Sequence, residues 1–165
     1  MTRPIVVFDL DGTLIDTAPD LLASLNHCLE IAGLESARPA ELRRFVGMGG
    51  RVMIERAFAA QQRALSEGQL DALQAAFLDH YGGGIPGLSQ PFPGVAAALD
   101  RFEAAGYTAA VCTNKYESMS TALIGALGLA PRFAAICGAD TFTFRKPDPR
   151  HLVETIRKAG GDPAR

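Results

Sequence analysis

Cysteine is scarce and odd in number: Cys28, Cys112 and Cys137 each sit in an apolar stretch, the pattern of buried reduced thiols rather than of a disulfide framework or a zinc site. Histidine is as thin, and His27, His80 and His151 show no ligand spacing, which leaves them surface or packing roles. No segment reaches the apolar length of a transmembrane helix, and the N-terminus enters a strand-like run without a signal-peptide pattern, so the expected location is cytoplasmic. Neither charge sign prevails. With 16 Lys plus Arg against 18 Asp plus Glu and a net charge of -2, the chain has no long single-sign tract. It therefore lacks the electrostatics of a nucleic-acid or membrane-surface binder, and a small molecule is the expected partner. Internal repeats and low-complexity tracts are absent as well.

What is present begins near the N-terminus, with Ile5-Val6-Val7-Phe8-Asp9-Leu10-Asp11-Gly12-Thr13-Leu14. Four successive apolar residues read as a strand over 5–10 buried on both faces, and ligands in open parallel sheets gather beyond the carboxyl ends of the strands. Asp9 and Asp11 lie at that end. One residue apart, they would share a face of a regular strand and converge on one bound group, although two acids so close repel unless a cation or proton intervenes. Asp-Gly at 11 and 12 also fits a simple turn.

Helical periodicity follows over 19–31, 40–46, 51–60 and 66–81, with Pro19 suited to a first turn and Gly33 to a stop. Gly82-Gly83-Gly84, Pro86-Gly87 and Pro91-Phe92-Pro93-Gly94 then form a linker signature. Beyond it the pattern alternates: helix 95–105, strand 107–112, helix 118–127, strand 133–137, helix 149–159. Such alternation implies the α/β class, with right-handed crossovers and a parallel sheet. With 48% hydrophobic residues, 165 residues suit one domain or a core with an insertion. The helical block is read as a lid, giving a core of 1–16 and 87–165 and a helical insertion of 17–86.

Two more segments carry chemistry. Thr113-Asn114-Lys115 follows a strand and so lies on the same sheet edge as Asp9. A hydroxyl and a helix N-terminus there suit an anion; alternatively, Thr113 or Asn114 caps the next helix. In Arg145-Lys146-Pro147-Asp148-Pro149, Pro147 stiffens the backbone after Lys146 and Pro149 can start a helix, which would hold the lysine toward the site. Taken alone, Lys-Pro-Asp is a surface loop.

In combination, Asp9-Leu10-Asp11-Gly12-Thr13, a strand-borne Thr113 and Lys146 before a helix resemble the haloacid dehalogenase-like hydrolase superfamily. The resemblance spans nearly the whole chain and implies a Rossmann-like parallel sheet with an inserted α-helical cap. It implies that Asp9 attacks phosphorus to form an aspartyl phosphate, while Asp11 protonates the leaving alkoxide and later deprotonates water. A carboxylate approaching a phosphate costs about 4 kcal/mol per unit pair at ~4 Å and an effective dielectric near ~20, so counter-charge is required. The family supplies it as Mg2+, held by the carboxylate of Asp9 and the backbone carbonyl of Asp11, and as Lys146, with Thr113 donating a hydrogen bond. Gly12, Thr13, Asn114 and Lys115 are further candidates for phosphate or substrate contacts. An acid at position 11 favours a phosphatase or phosphomutase over a dehalogenase or cation pump.

Phe45-Val46-Gly47-Met48-Gly49-Gly50-Arg51 resembles the glycine-containing cap loop of phosphoglycolate phosphatases. Gly47 and Gly50 would let backbone approach a ligand and Arg51 would meet a substrate carboxylate; the other reading is a tight helix connection with a solvated arginine. The implied partner is a small phosphorylated metabolite, 2-phosphoglycolate first, with a phosphosugar mutase or a non-catalytic phosphate-binding fragment as alternatives. The pattern departs at the end, where the family has a further strand and a Gly-Asp-Ser-x-x-Asp-like motif completing the magnesium site. The expectation is a fragment of a longer enzyme, impaired in activity, lacking the C-terminal part of the core. Its strand over 5–10 would be open to homodimer formation or edge-mediated association.

Overall fold

The computed structural model describes residues 3–164. In chain order the elements are β1 (Ile5–Phe8), β2 (Ile15–Asp16), α1 (Ala18–Ile31), α2 (Pro39–Leu42), α3 (Gly50–Ala60), α4 (Glu67–Gly83), β3 (Gln90–Pro91), α5 (Val95–Ala104), β4 (Thr108–Cys112), α6 (Glu117–Ala126), β5 (Phe133–Cys137) and α7 (Pro149–Lys158). They form two compact units, Met1–Asp16 with Gln90–Arg165, and Thr17–Ser89.

The first unit is an α/β structure on a parallel sheet of order β1-β4-β5. Alternation along β1 sends its residues to opposite faces. Ile5 and Val7 pack with Ala110, Ala135, Cys137 and Ala159, at the end of α7, while Phe8 meets Phe102 of α5 edge-on at 5.8 Å. Helices therefore cover both faces of the sheet. A short antiparallel ribbon of β2 and β3, pairing Ile15 with Pro91 and Asp16 with Gln90, stands where the chain leaves this unit and returns.

β1 is shorter and less buried than the sequence suggests. All four of its residues are half-buried, because among the described residues β4 is the one strand that pairs with it. It ends at Phe8 because the backbone beyond is committed to a turn: the Leu10 carbonyl accepts the N–H groups of Thr13, Leu14 and Ile15 at 3.2, 3.0 and 3.1 Å. Gly12, at φ 75°, takes the left-handed conformation this turn needs, and its N–H reaches the Ile15 carbonyl at 2.9 Å.

The second unit is helical. Leu21, Leu25, Cys28 and Leu29 of α1, Met53, Ile54 and Phe58 of α3, and Leu70, Leu73, Phe77 and Tyr81 of α4 recur at helical spacing and are all buried. Ser66 caps α4, accepting from the Gln69 N–H. α2 stops well short of the expected 40–46, since the Phe45 and Met48 N–H groups bond three residues back, at 2.8 and 3.1 Å, in turns rather than a helix. The three cysteines are free and buried, and burial pushes the Cys28 thiol up to about 11.

Gly138, just past β5, marks a very tight backbone approach in the first unit. A Cβ there would stand 2.2 Å from the Glu117 nitrogen and 2.6 Å from the Lys115 carbonyl oxygen. Both neighbours are backbone, so neither can step aside cheaply. Gly138→Ala is expected to cost about 1–3 kcal/mol or more by overpacking. Gly68→Ala in α4, with nothing within 4 Å, is expected to gain up to about 1 kcal/mol from helix propensity. Urea unfolding of the two variants checks both signs.

Candidate active site

Asp9 follows the last paired residue of β1, so it projects beyond the carboxyl end of the sheet. One of its oxygens accepts the Leu10 N–H at 2.7 Å and the other lies 2.9 Å from the Lys146 Nζ. Asp11, two residues on, is buried, and its carboxylate lies 3.1 Å from the equally buried Lys115 Nζ. Each acid thus has its own lysine. Lys115 comes from the loop after β4 and Lys146 from the loop after β5, so a parallel sheet with aligned ends is what brings the four charges to one edge. Thr13 lies exposed on the intervening turn beside Gly12.

The loop after β4 is held closely. Thr113 is fully buried; its N–H continues the ladder to the Cys137 carbonyl at 2.9 Å, and its Oγ1 accepts the Lys115 N–H at 3.2 Å. Asn114 sits half-buried between them. Neither Thr113 nor Asn114 caps α6, contrary to one of the two readings of the sequence. Tyr116 holds the cap position, and the Glu117 N–H donates to the Asp140 carboxylate at 2.7 Å. This N-terminus, expected to suit an anion, is therefore already met by a carboxylate from the chain itself. Asp140 was not foreseen, although Gly138-Ala139-Asp140-Thr141 carries the composition of a turn that bonds its surroundings. In the same loop the Ala139 N–H donates to the Lys115 carbonyl at 2.9 Å, the Gly138 N–H donates to the Thr141 hydroxyl at 2.7 Å, and that hydroxyl bonds the Glu117 carboxylate.

The loop after β5 ends at α7, where Pro149 is at the first turn and Asp148 caps it, accepting the Arg150 N–H at 2.9 Å. Hydrogen bonds from Arg150 hold the Asp148 carboxyl down at about 2. The Lys146 N–H donates to Nδ1 of His151 at 3.2 Å. His151 is fully buried, and its ring is pushed below the ordinary histidine range by that burial and by the Lys146 charge, with the Gly138 backbone working the other way. The sequence left His151 a surface or packing role, and no metal-ligand or catalytic spacing marks a contact five residues back.

Gly47, Gly50 and Arg51 belong to the helical unit. Gly47 lies in the turn before α3 at φ 83°. Gly50 opens α3 against the Phe77 ring, where a Cβ would come within 3.0 Å, so its smallness already has a packing reason. Arg51, expected to meet a substrate carboxylate, bonds Asp71 and Glu67, each at 2.5 Å, and Gln74 at 3.0 Å. Among the described residues no group of three or more His, Cys, Asp or Glu side chains gathers to hold a metal. The Asp9 carboxylate and the Asp11 carbonyl are oxygen donors of the kind a hard cation takes, and Mg2+ characteristically uses one or two carboxylates with phosphate and water oxygens for the rest.

The Asp11–Lys115 pair is the most enclosed ion pair here, with each side chain about 6% exposed. Removing one partner strands a buried charge. Lys115→Met is expected to destabilise the protein by roughly 3–5 kcal/mol, and adding Asp11→Asn should recover part of that loss. Denaturant unfolding of the two singles and the double measures the coupling.

Residues 6–165 match the sequence profile of the haloacid dehalogenase-like hydrolases. The chain is 67% identical over 162 residues to a phosphoglycolate phosphatase of Mesorhizobium japonicum, covering 98% of this chain and 71% of that protein. To a phosphoglycolate phosphatase of Agrobacterium fabrum it is 52% identical over 159 residues, covering 96% and 68%. A crystal structure of a predicted phosphoglycolate phosphatase from Haemophilus somnus aligns with a TM-score of 0.85 at 29% identity, covering 97% of this chain and 72% of that one. Among the described residues no helix is long and apolar enough to cross a membrane. A match running from β1 to the far end of the chain, with relatives this close, settles the kinship: the chain belongs to the haloacid dehalogenase-like hydrolase family, among its phosphomonoester hydrolases.

Proposed function

We propose that this protein hydrolyses a small phosphomonoester, 2-phosphoglycolate foremost, through an aspartyl phosphate on Asp9. The observation that carries the reading is the Asp9 carboxylate beyond the end of β1, fixed by the Leu10 N–H on one oxygen and by Lys146 at 2.9 Å on the other. That lysine offsets the repulsion between a carboxylate and an incoming phosphate. The choice of substrate is supported by the names of the relatives at 67% and 52% identity.

In the first step an Asp9 oxygen forms a bond to phosphorus as the ester P–O bond breaks, and Asp11 gives its proton to the departing alkoxide. In the second, Asp11 takes a proton from water, whose oxygen attacks phosphorus and releases phosphate, restoring Asp9. Lys115 fixes the direction of the Asp11 carboxylate. Thr113 accepts from the Lys115 N–H and retains its own O–H to donate to a phosphoryl oxygen. Mg2+ would be held by the Asp9 carboxylate and the Asp11 carbonyl, and when bound it offsets negative charge on nucleophile and phosphate. The helical unit, inserted between β2 and β3, serves as the cap. For Arg51 to bind a substrate carboxylate it must exchange Glu67 and Asp71 for that ligand.

Phosphate release from 2-phosphoglycolate with and without Mg2+ tests the reading. Asp9→Asn is expected to abolish hydrolysis and Asp11→Asn to impair turnover. Lys146→Ala should lower the rate more than about a hundredfold, as loss of one preorganised donor does. Chelation should stop the reaction and added Mg2+ restore it. Free phosphate, rather than an isomerised phosphate ester, is the product that separates hydrolysis from mutase chemistry. Substantial hydrolysis by the Asp9 variant would remove the nucleophile from the proposal.

A further inference from the structure

We infer that His151 is a positioning residue for Lys146, holding the lysine's backbone through Nδ1 so that its ammonium stays on Asp9. The inference rests on the role proposed above for Lys146. Three features of the structure carry it.

The first is the contact itself. The Lys146 N–H donates to Nδ1 at 3.2 Å, closing the turn between the loop after β5 and α7, while the same residue's Nζ lies 2.9 Å from Asp9. The lysine is thus held at both ends, by an imidazole on its backbone and a carboxylate on its tip.

The second is that the imidazole is itself immobilised. His151 is fully buried, and its backbone is fixed at both groups: the main-chain N–H donates to the Asp148 carbonyl at 3.1 Å, and the main-chain carbonyl accepts from the Thr155 hydroxyl at 2.7 Å. Phe142 packs edge-on against the ring at 5.8 Å. A ring so enclosed, with Nδ1 already taken by the Lys146 N–H, is placed to act through Lys146.

The third is the state of the ring. To accept at Nδ1, the ring must be neutral and carry its proton on Nε2. Burial and the Lys146 charge both favour the neutral form. Nε2 is buried without a well-formed hydrogen bond, the Gly138 backbone being the group that favours a proton on the ring. Leaving such a group unmatched costs free energy that leucine or phenylalanine in the same space would avoid. What histidine supplies in exchange is the acceptor at Nδ1. A cation on a long, flexible stem loses effectiveness when its anchor shifts by even a fraction of an ångström, and a fixed backbone limits that drift.

The test uses the fact that the lysines of this chain are Lys115, Lys146 and Lys158. Lysine-selective 15N labelling therefore gives a backbone amide spectrum in which the Lys146 peak is identified by its loss in Lys146→Ala. His151→Asn places an oxygen where Nδ1 was, His151→Gln places its amide near Nε2 instead, and His151→Leu removes both. His151→Asn is expected to keep the Lys146 amide protected from hydrogen exchange, whereas His151→Gln and His151→Leu should speed its exchange about tenfold or more. Lys115 and Lys158 should be unaffected. In hydrolysis, the Gln and Leu variants should lose kcat by about tenfold with KM little changed, and Asn should restore it. Should His151→Leu fail to fold, the Asn and Gln pair decides alone. Unchanged Lys146 exchange in His151→Gln, or equal losses in Asn and Gln, would overturn the inference. An unimpaired Lys146→Ala enzyme would instead overturn the role of Lys146, while the amide exchange still judges the contact with His151.

Discussion

Two carboxylates separated by a single residue at the tip of a strand repel one another, and that repulsion has to be met by cations arriving from elsewhere in the chain. Here it is met one to one, Asp9 by Lys146 and Asp11 by Lys115. At an effective dielectric near ~20 each contact of this length has a gross attraction of a few kcal/mol, which is set against the cost of taking the charges out of water. The parallel order β1-β4-β5 serves the same need. An antiparallel neighbour would carry its following loop to the opposite end of the sheet, away from Asp9. Parallel strands put the loops after β4 and β5 beside the tip of β1, and the helices α5, before β4, and α6, between β4 and β5, are what such connections require.

Bringing a lysine near a carboxylate is easier than keeping it there, because its long stem has considerable rotamer freedom. Both lysines are held by their backbones. Lys115 donates its N–H to Thr113 and accepts at its carbonyl from Ala139, so the loops after β4 and β5 are stitched together through it. The bareness of Gly138 allows this close seam, and Asp140 completes it at the N-terminus of α6. Lys146 is tied to α7 in the corresponding way, through His151. The charged tips therefore extend from fixed points, and the surrounding polar groups are mainly engaged in fixing them.

The parts of this arrangement legible in the sequence are those with local periodic signals. β5 falls where the pattern puts it and β4 within one residue, since short apolar runs bounded by turn residues leave little latitude. α7 begins at Pro149 because proline at the first helical position announces itself. The ribbon of β2 and β3 escaped notice, each strand being two residues long and one of them containing Pro91. The early end of β1 escaped as well, because apolar character continues through Leu10 while the Leu10 carbonyl is taken by the turn. At the site, residue types and order marked Asp9, Asp11, Thr113 and Lys146 as neighbours along one edge. Which lysine meets which acid was not readable, nor was the cluster around Arg51, whose partners lie 16 to 23 residues away. Pairings across such separations are decided by packing, which leaves no periodic trace.

The one-to-one pairing also has a consequence for what the site can accept. With both aspartates ionised, as the two ion pairs have them, two aspartates and two lysines leave the cluster with no net formal charge. Such a cluster is stable at rest, yet it offers no surplus of positive charge to a phosphate dianion. A phosphoryl group approaching Asp9 would bring the local total to about minus two in a partly enclosed place, where like charges interact more strongly than in water. A divalent cation entering with the phosphate returns that total to zero, and one bound beforehand would leave an excess of positive charge. On the proposed chemistry, therefore, metal and phosphate favour each other's arrival. The resting lysines hold the two acids in place until both are present.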